Sequence, residues 1–210
     1  MRWLQLPDIV ALRLENEGPT ECWIMILVLR NGKLNKHHKV EYMGCMRNKN
    51  ALLCPLSALA FNFLFRWGFQ TAGGSKTNSQ PHRTLPSFFA PHEFYNIHVF
   101  PGKISEPEKQ WAYSGQREWT NKLFKDAGIM TGKSTHFDRR QAARHAELAG
   151  VEESQIRRAG HWNNDSMTNS YLSCLPRKFM RTIAGFREEG GGFYLPRAKV
   201  DPPETLQRQI

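Results

Sequence analysis

KSTHFDRRQAARHAELAGVEESQIRRAGHWNNDSMTNSYLSCL, residues 133–175, is the stretch from which the rest of the chain can be read. Thr135 followed three residues later by Asp138 has the pattern of a capping box. A helix is therefore expected to start at His136 and to carry His136 and Arg139, an H-x-x-R box, one turn apart on its first turn. The unpaired N–H groups of such a start favour an anion. Gln141, Ala142, Ala143, Ala146 and Leu148 continue the helix on a small-residue face, and Gly150 is placed to stop it in a left-handed turn. Glu152, Glu153 and Ser154 then open a second, short helix, filled by Ile156, Arg157 and Arg158 and ended by Gly160 directly before His161 and Trp162. Asn163, Asn164 and Asp165 supply a cap for a third helix, which carries Tyr171 near its end and is closed by Pro176.

The order His136, Arg139, Gly160-His161-Trp162, Tyr171 resembles the catalytic half of the tyrosine recombinases, the integrase family. That family reads H-x-x-R, then a Gly followed by His or Trp, then a nucleophilic Tyr. The likeness is closer to one fungal branch: the crypton-type recombinases and their domesticated relative, the second domain of the large DNA-binding subunit of the budding-yeast centromere complex. The matching phrases are MRNKNALLCPLSALAFNFLFRW (46–67), ELAGVEESQIRRAGHWNNDSM (147–167), YLSCLPRKFMRTIAGF (171–186) and YLPRAKVDPPETLQRQI (194–210), which cover most of the chain.

The resemblance implies a mainly helical α+β domain of the tyrosine-recombinase catalytic type, with a small antiparallel hairpin or three-stranded sheet. It implies duplex DNA as partner, kinetochore-type proteins and a second copy of the chain as further candidates, a nuclear location, and no metal or other cofactor. Catalytic-type roles fall on Lys33, His136, Arg139, His161, Trp162 and Tyr171. In the family a first catalytic arginine lies on a helix upstream of this segment; only Arg2 is available here, and it sits too late. The resemblance thus implies a DNA-binding domain that has lost catalysis, and its alternative is an active crypton-type recombinase working through a 3′-phosphotyrosine. On the same ground the chain is expected to be truncated at its start and to continue past its end.

At 210 residues the chain has the length of one ordinary domain, expected to span 1–210 with a long insertion over 68–114. Lys and Arg number 29 against 19 Asp and Glu, giving a net charge of +10 and a pI near 9.7. That balance favours a polyanionic partner; a protein-interaction scaffold with incidental charge is the bland alternative. Cys22, Cys45, Cys54 and Cys174 have no C-x-x-C spacing and no leading signal peptide, which reads as a reduced intracellular protein without disulfides or zinc. His37-His38 sits between Lys36 and Lys39, which would repel a cation. No apolar run reaches the length of a membrane span.

Residues 1–14 read as a helix end, a turn at Pro7 and a first strand. Residues 22–29 form an apolar strand, Asn31-Gly32 a hairpin turn and 39–46 the return strand. The resemblance implies that a lysine on this hairpin enters the minor groove and protonates the leaving oxygen; Lys33 matches best and Lys36 second, and an ordinary solvated lysine would look the same. Residues 52–67 have helical period, with Pro55 in the first turn and Leu56, Leu59, Ala60, Phe63, Leu64 and Trp67 inward. Residues 116–127 form another helix with Trp119, Leu123 and Phe124 inward, and 176–186 a last one with Phe179, Met180 and Ile183 inward and Arg177, Lys178 and Arg181 outward.

DNA contacts are expected from Lys33, Lys36, Arg139, Arg140, Arg157, Arg158, Arg177, Lys178 and Arg181. Guanidinium groups fork onto phosphate oxygens, so Arg139 with His161 or Trp162 would grip the phosphodiester, and in an active enzyme Tyr171 would attack phosphorus. The structural alternatives are an ion pair of Arg139 with Glu147 or Asp165, a buried helix tyrosine, and a core tryptophan.

Overall fold

The computed structural model describes residues 2–30, 40–67, 86, 90–132, 134–162 and 175–199. Strands β1 (Ile9–Leu14), β2 (Cys22–Leu29) and β3 (Glu41–Met46) form one antiparallel sheet in the order β1-β2-β3. The central run CWIMILVL lacks apolar-polar alternation because both of its faces are covered. Cys22 and Ile24 pack into a core with Met180, Phe186 and Phe193, and Leu27 into a second with Leu4, Leu6, Ile97 and Val99.

Six helices accompany the sheet among the described residues: α1 (Pro55–Trp67), α2 (Pro91–Phe94), α3 (Tyr113–Asp126), α4 (Ser134–Leu148), α5 (Glu153–Ala159) and α6 (Arg177–Ile183). This is the expected mainly helical α+β class. A Cβ on Gly44 of β3 would come within 2.8 Å of the Met180 side chain, so glycine is what lets α6 lie on the sheet. Ala146, Val151 and Ile156, with Ala143 and Phe179, form a third small core that holds α4, α5 and α6 together.

Several local expectations are corrected. Helix α4 begins at Ser134, two residues early, because the Ser134 hydroxyl donates to Asn121 Oδ1 of α3 at 2.6 Å and ties the helix start to its neighbour. Helix α3 begins at Tyr113, and the side of it that packs carries Phe124, edge-on to Phe137 of α4 at 5.2 Å. Trp119 and Leu123, about 100° or more round the helix from Phe124, face water instead of the core, at 54% and 58% exposure. Leu64 of α1 is likewise exposed. In the glycine- and proline-rich region, Ile97 and Val99 join the second core, fastened by Leu6 N–H to Ile97 O and Val99 N–H to Leu4 O, both 2.9 Å. The hairpin turn and the third helix of the central stretch fall outside the described residues.

Candidate functional site

Two Schellman turns build the site. The first ends α4: Gly150 has φ +83°, Val151 N–H reaches Ala146 O at 3.0 Å and Gly150 N–H reaches Glu147 O at 3.0 Å. The second repeats the pattern at the end of α5, with Trp162 N–H on Arg157 O at 3.0 Å and His161 N–H on Arg158 O at 3.2 Å. Here the left-handed position is occupied by His161, at φ +50°, where an L residue costs roughly 1–2 kcal/mol. Gly160 precedes it, and a Cβ there would come within 2.6 Å of the Trp162 ring. Each letter of Gly-His-Trp thus has a steric role: Gly160 clears the indole, His161 reverses the chain, and Trp162 folds back over the helix end.

That fold-back meets Arg139 from the early turns of α4. The guanidinium carbon lies 4.8 Å from the centre of the Trp162 ring, a cation–π distance, and Nη2 donates to the Gly160 carbonyl. No carboxylate pairs with Arg139 among the described residues, so the expected alternative of a Glu147 partner is not found; Asp165 lies outside them. Glu41 of β3 takes His161 instead, its Oε2 3.4 Å from Nδ1. The other ring nitrogen, Nε2, is buried with no hydrogen-bond partner among the described residues. Burial lowers the His161 pKa below the usual imidazole range and Arg139 adds to this, against the opposing pull of Glu41. Burial also lowers the Arg139 pKa, again opposed by Glu41. The result is an imidazole whose charged form is disfavoured, beside a permanent cation whose partners are a neutral carbonyl and an aromatic face. Such a cation can exchange a carbonyl oxygen for an anionic one.

The model of one protein family, the centromere DNA-binding protein complex CBF3 subunit, domain 2, matches residues 2–210. The chain belongs to this family. No curated protein and no solved structure matches it.

In this member of the family, the structure brings Arg139, His161 and Trp162 together, while His136 lies exposed one turn before Arg139. Lys33, Lys36 and Tyr171 lie outside the described residues. Arg140 is exposed, Arg158 is half-buried, and Arg157 pairs with Glu153 one turn back at 3.3 Å. On α6, Arg177 pairs with Glu17 at 3.3 Å and Lys178 with Glu152 at 2.9 Å. Arg181 corrects the outward expectation: it is buried, with Nη1 2.7 Å from Glu17 Oε2 and Nε donating to Glu188 O at 2.7 Å. Arg2 is engaged elsewhere, donating to Trp111 O at 3.2 Å and lying 5.3 Å from the Tyr113 ring. Glu41 is the site residue that sequence reasoning missed, since no spacing links position 41 to position 161. Among the described residues no helix is long and apolar enough to cross a membrane, and no group of three or more His, Cys, Asp or Glu could hold a metal ion.

Proposed function

We propose that this domain binds duplex DNA as part of a centromere-type complex in the nucleus, on a surface descended from a tyrosine recombinase that no longer cuts DNA. One observation carries the reading. The Arg139 guanidinium sits on Trp162 beside His161 with no carboxylate paired to it among the described residues, in a family whose name records centromere DNA binding. A phosphate oxygen replaces the Gly160 carbonyl on Arg139 and takes a further bond from His161. Arg140, Arg157, Arg158, Arg177 and Lys178, with Lys33 and Lys36 from the segment between β2 and β3, extend the contact along the backbone, and kinetochore-type proteins and a second copy of the chain bind elsewhere on the domain.

Filter binding of duplex DNA over a salt series tests the proposal. Non-specific affinity is expected at roughly 10⁻⁴–10⁻⁶ M in physiological salt, falling linearly on a log-log plot. A flat salt response would leave a protein-interaction scaffold as the reading. A nicked suicide duplex tests the catalytic part: no covalent adduct is expected. An adduct that forms with this chain and disappears in Tyr171→Phe would make it an active recombinase.

A further inference from the structure

Away from this corner, α1, α3 and the turn after Phe100 enclose an open cleft of about 230 Å³. Its walls are Phe65 of α1, Ile104 of the turn, and Trp111 and Trp119 beside and on α3. Phe65, Ile104 and Trp119 are 65%, 46% and 54% exposed, and one turn further along their helices Phe61 and Leu123 continue the same two walls into solvent. Exposed apolar surface gathered round a hollow marks a binding site more often than scattered exposed residues do. The volume falls below the roughly 300–1,000 Å³ of small-molecule pockets and suits one large side chain.

Two polar features say which side chain. Asn62 lines the cleft, and its Oδ1 is shut off from solvent with no hydrogen-bond partner among the described residues. A buried acceptor left unpaired is costly, so the occupant must bring a donor. At the rim the Lys122 ammonium lies 5.5 Å from the Trp119 ring and forms no ion pair among the described residues, which favours a carboxylate on the occupant. A nucleic-acid base could stack on Trp119, but a strand-binding groove needs a line of cations to track the backbone, and Arg66, the cation that lines this cleft, is buried and donates to the His98 and Val99 carbonyls.

The geometry points to a docking site for an acidic segment of a partner protein that inserts a tryptophan, its indole N–H on Asn62 Oδ1 and a neighbouring carboxylate on Lys122. The test is a titration of the ¹⁵N-labelled 210-residue chain with the blocked peptide Ac-Glu-Asp-Trp-Leu-Asp-NH₂. Shifts are expected at the Asn62 side-chain amide and the indoles of Trp111 and Trp119. Trp119→Ala, an exposed position whose folding the same spectrum checks, should weaken binding by about tenfold or more. A peptide carrying 1-methyltryptophan should bind about fivefold more weakly to the native chain, and no more weakly than the parent peptide to Asn62→Leu. Shifts that map elsewhere, or that survive Trp119→Ala, overturn the proposal. So does a stronger response of the same resonances to oligo-dT, which would make the cleft a base-stacking platform, or a dimer in sedimentation that Trp119→Ala dissolves.

Discussion

The domain contains two arginine sites of opposite kind on neighbouring helices. On α6, Arg177 and Arg181 converge on Glu17, which is 2% exposed, and the Arg181 Nε also donates to the Glu188 carbonyl. That cluster ties α6 to the turn after β1 and to the chain beyond residue 188. On α4, Arg139 has a ring face and a carbonyl and, among the described residues, no paired carboxylate. The side chains are identical; what differs is whether an anion from within the fold has already been supplied. Where the anion is supplied and the pair is buried, as at Arg181, the arginine belongs to the architecture; at Arg139, and on the half-exposed side of Arg177, charge remains available to a ligand.

The contrast is broken most severely at Glu17. Glu17→Ala leaves Arg181 buried without its carboxylate, and should cost about 3–5 kcal/mol in urea unfolding; a loss below about 1 kcal/mol would mean that the cluster is no more structural than Arg139. A smaller effect of opposite sign is expected at His161. His161→Gly removes the left-handed strain at the price of backbone freedom, so the fold should gain about 0.5–1 kcal/mol while DNA binding weakens. A net destabilisation above 1 kcal/mol would show that the His161–Glu41 contact supports the fold rather than the site.

The same position also carries a pH dependence. The folded-state pKa of His161 is depressed, so the unfolded chain takes up the proton first, and the contribution to stability is present above the ordinary imidazole value near 6.5 and lost as pH falls below it. The stability advantage of His161→Gly over the native chain should therefore widen between pH 7.5 and pH 5.5, by no more than about 1.4 kcal/mol per pH unit. A constant difference across that range would place the imidazole in water.

Much of the central stretch was legible because its punctuation is local. Gly150 and Gly160 mark the two helix ends from sequence alone, and the α+β class follows from one hairpin among helical periods. What was not legible is long-range. Arg177 and Arg181 look like an outward basic face until Glu17, 160 and 164 residues away, is seen to take them. Glu41 reaches His161 only because β3 runs beside the end of α5, and Trp119 reads as core by period although the face of α3 that packs is the one bearing Phe124. Periodicity tells which residues share a face, and only tertiary contacts tell which face is covered.

The central claim is that Arg139 carries a charge held open for phosphate, and Arg139→Ala tests it most directly when DNA affinity and urea stability are measured on the same preparation. The account predicts duplex DNA binding weaker by about ten- to a hundredfold, from loss of one charge-assisted contact, and a log-log salt slope flatter by about 0.9. It predicts at the same time an unfolding free energy within about 1 kcal/mol of the native chain, as for other partly exposed positions. Unchanged DNA affinity with the fold intact would contradict it, and so would an unfolded variant, which would make Arg139 a structural group like Arg181.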